Sequence, residues 1–271
     1  MSWVTVLVGG GASLLMGRYR AGQRCGLASR PEPQAPHSTP EHAAGQMQPS
    51  TASRGRLRLV LLADTGRMGR YALHAADNEA QPGSGGLVLR NLAGITAVDD
   101  INDLELELLA QLYQSVLVDE LPDRALSVAD IKRWHRRWLG NVYAWAGQER
   151  SVNMSKGGFS FAAAGQIPRL MAGFEKSVLK RFTPCYDLAP AGLVEAIAVT
   201  HVELILIHPF REGNGRLSRL LADVMAVQAG HNPLDYSSWE THKTGYVAAI
   251  HAGLAMNYEP MKFWVRTAMN L

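Results

Sequence analysis

Leu193-Val194-Glu195-Ala196-Ile197-Ala198-Val199-Thr200-His201-Val202-Glu203-Leu204-Ile205-Leu206-Ile207 runs directly into His208-Pro209-Phe210-Arg211-Glu212-Gly213-Asn214-Gly215-Arg216-Leu217-Ser218-Arg219. The first half is apolar on nearly every side, with Glu195, Glu203 and a few small polar residues as relief. A helix of that kind is buried at the centre of a bundle. Pro209 ends it, and a second helix is expected from near Gly215 to about Ala229, closed by Gly230. The turn between them has the parts of a polyphosphate site. Gly213 and Gly215 let backbone approach a ligand and permit positive φ around Asn214. A helix N-terminus offers free N–H groups and the positive end of its dipole to an anion. Arg216 and Arg219, three apart in the first turn, are unfavourable to that dipole and so imply a compensating anion. Glu212 is a hard oxygen ligand suited to Mg²⁺ shared with phosphates. His208, with an ordinary pKa of about 6.5, suits proton abstraction near neutral pH, and Phe210 suits a core anchor for the loop. The bland alternative pairs the arginines with Asp223 or Glu203 and leaves the rest as capping.

Working outward, residues 101–118 carry Leu and Ile at helical spacing behind Asp99 and Asp100, which suit an N-cap and a favourable dipole end. Ser127 and Asp130 form an acidic capping box for a helix through Trp138, stopped by Gly140. Residues 148–161 alternate around Lys156-Gly157-Gly158 and predict a β-hairpin with a glycine turn. Helix is expected again over 166–182 and over 237–269, the latter broken near Pro260. Residues 71–90 read as mixed and loop-like, with Pro82, Gly83, Gly85 and Gly86 as breakers. Residues 30–54 are rich in Pro, Ser, Ala, Gln and His, too poor in apolar side chains to offset ordering entropy, and are expected to be disordered. The division is therefore a non-homologous or disordered extension over 1–67, a lead-in and helix over 68–125, and a helical core over 126–271.

Composition sets the class. With 47% hydrophobic and 19% charged residues the chain is an ordinary globular protein, and a net charge of +3 does not suggest nucleic acid. Cys25 and Cys185 match no disulfide framework or thiolate metal spacing, so a reducing, cytoplasmic setting is expected. Residues 3–16 are apolar but short, and interrupted by Gly9, Gly10 and Gly11; they are at most a weak anchor. No H-E-x-x-H or P-loop pattern occurs. His201 and His208, seven apart, lack a third metal ligand at plausible spacing.

The twelve residues from His208 to Arg219 also resemble the signature of the Fic (Fido) family, HPF-x-[D/E]-G-N-G-R-x-x-R, at every defined position. The likeness extends over about 94–261, through Tyr143-Ala144-Trp145-Ala146-Gly147 and Val152-Asn153-Met154-Ser155-Lys156-Gly157-Gly158; residues 83–94 resemble the usual lead-in. The resemblance implies a mainly α Fic-type bundle with a small β-hairpin flap. It implies a protein adenylyltransferase that moves AMP from Mg·ATP to a Tyr, Thr or Ser hydroxyl, with His208 as general base and Glu212 holding Mg²⁺. Gly213, Asn214 and Gly215 would form the anion hole, with Arg216 and Arg219 clamping the distal phosphates. Lys156 and Gly157 would lie along the nucleotide and register the target by strand addition, and Tyr246 would contact adenine. The two glycines favour AMP transfer over the phosphate transfer of the Doc branch, whose loop resembles A-N-K. UMP transfer, phosphate transfer and a non-catalytic Fic-fold interaction module are the alternatives. The family's inhibitory pattern, [S/T]-x-x-x-E-[G/N], is missed in register at Ser115, Asp119 and Glu120. The resemblance then leaves two readings, a separate small antitoxin-like inhibitor docking near Arg219, which is the one preferred, or an enzyme not restrained in this way. Fic domains are often homo-oligomers.

Overall fold

The computed structural model describes residues 80–271 in full, and the backbone of four strands before them. Three of these fall in the N-terminal extension: β1 (Ser2–Val8) pairs antiparallel with β2 (Ala12–Tyr19) and parallel with β3 (Leu57–Leu61). The described residues of the apolar stretch 3–16 thus lie in two strands. The disorder expected over 30–54 lies outside the described residues. The fourth strand, β4 (Ala72–Leu73), corrects the loop-like reading of 71–90: its partner is remote in sequence, which no local pattern reveals.

Helix α1 (Val98–Tyr113) begins earlier than its periodicity suggested, with Asp99 and Asp100 in its first turn and Ala97 at the N-cap. It widens into a π-turn over Gln114–Asp119. Helix α2 (Val128–Leu139) opens on the expected capping box: Asp130 N–H donates to Ser127 Oγ, and Ser127 N–H donates to Asp130 Oδ2 at 3.0 Å. Strands β5 (Met154–Lys156) and β6 (Phe159–Ser160) form the hairpin, and Gly157 and Gly158 take the positive φ that a two-residue turn needs. Its β5 edge is covered by β4, Ala72 opposite Ser155 and Leu73 opposite Met154.

Helix α3 (Ile167–Phe174) continues through a π-turn at Glu175–Leu179 into α4 (Lys180–Phe182). The central helix, α5 (Pro190–Ile207), is buried along most of its length and packs against α3, α6, α8 and α9. Among the described residues it alone has the length and hydropathy to cross a membrane, but 67% of it is buried inside the protein. Helix α6 (Asn214–Gln228) follows the loop, then α7 (Ser237–Thr241), α8 (Lys243–Ala252) and α9 (Glu259–Met269). The break expected at Pro260 falls upstream, at a 3₁₀ turn over Gly253–Ala255 and a left-handed Met256. Pro260 starts α9 instead, since proline's missing N–H costs nothing in a first turn.

Candidate active site

A cavity of about 320 Å³ opens between the hairpin, the α5–α6 loop, α1 and α7–α8. His208, Glu212, Gly213, Gly215, Arg216 and Arg219 line it, with Lys156 and Gly157 from the hairpin and Tyr246 from α8. Of the residues expected in sequence to act on nucleotide, metal or proton, only Asn214 does not line it. Its buried side chain turns back on the loop, Nδ2 donating to Phe210 O at 2.7 Å and Oδ1 accepting from Phe210 N–H at 2.9 Å. Asn214 therefore shapes the turn from behind.

His208 caps α5 in the left-handed region, at φ 53°. A non-glycine residue held there is strained and concentrates at functional sites. Its Nδ1–H donates to Ile205 O at 3.1 Å, because a carbonyl can only accept. The tautomer is thereby set, and Nε2 is the basic nitrogen. Burial, joined by the Arg150 and Lys156 cations, pushes the imidazole down to about 3 against the Ile205 bond that raises it. The ring stacks on Phe161, beyond the hairpin, at 3.6 Å. Arg150 fixes the strained residue from behind: Nε donates to His208 O at 2.7 Å, and its other nitrogens reach the carbonyls of Val152, Ala162 and Ile207.

Gly213 has φ 82°, and a Cβ there would lie 2.5 Å from the Trp138 ring. Gly215 differs from expectation. It has no positive φ and open space where a Cβ would be, so its missing side chain keeps the cavity clear rather than relieving the backbone. Glu212 Oε1 accepts from Gly213 N–H at 2.8 Å and from Arg216 at 3.2 Å.

The arginines pair with carboxylates other than Asp223 and Glu203. Arg216 bonds Glu105 Oε2 at 2.8 Å as well as Glu212, and lies over the Trp138 ring. Arg219 pairs with Glu240 of α7. Three carboxylates thus offset two cations that the α6 dipole disfavours. Tyr246 donates its hydroxyl to His201 Nε2 at 2.8 Å and stacks on Trp239. The other ring nitrogen of His201, Nδ1, donates to Ser218 O at 3.4 Å, and no group of three or more His, Cys, Asp or Glu arranged to hold a metal ion occurs among the described residues.

Sequence reading missed Glu105, His135, Arg150 and Glu240. Glu105 is fully buried and accepts from Tyr143 Oη at 2.6 Å. It stands four residues from both Ile101 and Leu109 on the buried stripe of α1, and a charge there signals a buried pair. His135 has the same signal, four residues after Ile131 on the buried face of α2. For Arg150 and Glu240 no local signal exists, because their partners lie elsewhere in the chain.

The fold and cavity define a class: a helical bundle whose core helix ends in a glycine-bearing loop at a helix N-terminus, with a histidine, a carboxylate and two arginines facing one space. Residues 125–226 match the Fic/DOC family. The probable protein adenylyltransferase y4lH of Sinorhizobium fredii is 30% identical over 153 residues, covering 56% of this chain and 77% of that relative. The protein adenylyltransferase Fic of Drosophila willistoni is 33% identical over 140 residues, 51% of this chain but only 26% of that longer protein. The Fic domain of Bep8 from Bartonella sp. 1-1C superposes with a TM-score of 0.61 at 21% identity, covering 72% of this chain and 96% of that one. BepC from Bartonella tribocorum, solved with bound AMPPNP, gives 0.58 at 22% identity, covering 72% and 97%. The chain belongs to the Fic/DOC family.

Proposed function

We propose that this protein transfers AMP from Mg·ATP to a hydroxyl side chain of a target protein. The observation that carries the reading is the tautomer of His208, with Nε2 basic, in one cavity with Glu212, Arg216 and Arg219. His208 Nε2 accepts the hydroxyl proton as that oxygen attacks the α-phosphorus; the bond to the bridging oxygen breaks and pyrophosphate leaves. A neutral imidazole is the correct starting state for a base, and the negative charge of bound phosphates raises its affinity for the proton. Arg216 and Arg219 meet charge growing on the leaving group once it draws them from Glu105, Glu212 and Glu240. The N-terminus of α6 supplies its dipole, and Gly215 leaves the approach open. Of the two carboxylates lining the cavity, Glu212 and Glu240, Glu212 stands on the loop beside the α6 N-terminus and would hold Mg²⁺ that keeps most of its ligands as phosphate and water. That ion supplies charge neutralisation at the phosphates.

The adenylyltransferase names of the bacterial and fly relatives support this reading, as does the ATP analogue bound in BepC. Tyr246, with Trp239, offers aromatic surface for a base, and Lys156 and Gly157 lie at the rim for target and nucleotide. Because β4 covers the β5 edge at Ser155 and Met154, strand addition by a target either displaces β4 or uses β6. We read the setting as cytoplasmic, without nucleic acid or membrane. A separate small inhibitor near Arg219 would compete there with Glu240. Homo-oligomer formation is part of the same proposal.

The test is ATP labelled in the α-phosphate, with Mg²⁺, cell lysate and a His208→Ala control. Label on protein bands that disappears with His208→Ala is the expected result. Transfer from γ-labelled ATP instead moves the chain to phosphate transfer, and no transfer of either kind leaves a binding module.

A further inference from the structure

His135 is fully buried on α2, yet both ring nitrogens engage main chain from two distant segments. Gly147 N–H, which can only donate, lies 2.8 Å from Nδ1. The Glu212 carbonyl, which can only accept, lies 3.0 Å from Nε2. The ring therefore carries its proton on Nε2, the reverse of His208, and the two contacts cannot exchange roles. Its face stacks on Phe210 at 4.0 Å and 11°, so it cannot rotate without leaving the loop anchor. The segment that begins at Gly147 is fixed as well. Gly147 has φ 80°, a Cβ there would lie 2.8 Å from Arg136 Cβ, and three residues on Arg150 N–H donates to Pro209 O at 2.8 Å.

A residue that only filled the core would need shape. This one supplies a donor and an acceptor in fixed order between a rigid turn and the loop that carries Glu212. We propose that His135 is a positioning residue: its imidazole, strung between Gly147 N–H and the Glu212 carbonyl, sets the main chain at Glu212 and so the place where that carboxylate meets Mg²⁺ and the nucleotide phosphates. The proposal rests on the adenylyl-transfer reading for the role of Glu212.

Two amides divide the ring's functions. In His135→Gln the amide N–H reaches the position of Nε2 and keeps the donor to Glu212; in His135→Asn the amide oxygen replaces Nδ1 and keeps only the acceptor for Gly147. Calorimetric titration with Mg·ATP, at several Mg²⁺ concentrations, is read beside the melting temperature of each variant. His135→Gln is expected to keep most of the wild-type affinity. His135→Asn is expected to bind about tenfold more weakly, the equivalent of one lost hydrogen bond, and to need more Mg²⁺ for half-maximal binding at a similar melting temperature. Equal weakening in both variants, in step with lost stability, overturns the proposal. Should neither variant fold, the wild-type protein carries the test through ¹⁵N resonances of the His135 ring: an Nε2–H tautomer that shifts when Mg·ATP is added supports it, and resonances indifferent to Mg·ATP overturn it. Binding is read without transfer. If the wild-type protein labels no target but the Gln variant still outbinds the Asn variant, positioning stands and the transfer reading falls.

Discussion

Gly213 and Gly215 show why a motif cannot be read one letter at a time. Gly213 is required twice, by a φ of 82° and by the Trp138 ring 2.5 Å from any Cβ. Gly213→Ala is expected to lose about 2–4 kcal/mol in denaturant melts, from left-handed strain and overpacking together. Gly215, helical and facing open cavity, is expected to behave oppositely. Gly215→Ala should keep or slightly raise stability, since alanine favours helix by up to about 1 kcal/mol, while weakening nucleotide binding. Equal destabilisation by the two alanines would contradict the division. The sequence made both glycines visible because their spacing is local. It did not distinguish them, because only the position of Trp138, some 75 residues upstream in the chain, does so.

Between elements, the pairing of α6 with α7 bears on nucleotide entry. Arg219 is about one-sixth exposed and Glu240 about one-third, so their ion pair is partly screened. A polyphosphate reaching Arg219 has to displace that carboxylate. Glu240→Gln is expected to tighten nucleotide binding about fivefold, corresponding to about 1 kcal/mol, in a fluorescent-nucleotide titration. Unchanged or weaker binding would show that Glu240 holds Arg219 in place rather than competing for it. At this scale the continuous apolar run of α5, the Ser127–Asp130 box and the Lys156-Gly157-Gly158 turn were legible, because each is set by residues adjacent in the chain. The pairing of β4 with β5, the π-turns at Gln114 and Glu175, and the ion pairs at Glu105 and Glu240 were not. They depend on which surfaces meet after the bundle closes.

At the scale of the molecule, the bundle buries three histidines in neutral form among the described residues. Burial takes His135 down to about 4 and both His201 and His208 to about 3, from an ordinary value of 6.5. Each contributes stability that is fully present above 6.5 and is lost as pH falls towards those lower values, because the unfolded chain takes up protons that the folded one refuses. Asp223 runs the other way. Burial lifts it to about 7 from 3.8, against the bonds it accepts from Leu234, Tyr236 and Tyr113, so its contribution is present below 3.8 and fades as pH rises towards 7. Between about pH 4 and 6.5 the unfolded state therefore binds three extra protons at the histidines and one fewer at Asp223. The histidines prevail, and stability should fall by up to about 2–3 kcal/mol per pH unit on acidification through that range. Urea melts at pH 7, 6 and 5 would show it as a falling midpoint with little change in slope. His201→Gln, which removes one of the three groups while leaving Nε2-side polarity near Tyr246, should make the decline shallower by about one proton's worth, 1.4 kcal/mol per unit. A midpoint that stays level from pH 7 to 5 would mean that these rings take up protons as readily inside the fold as in the unfolded chain, and that burial does not hold them neutral.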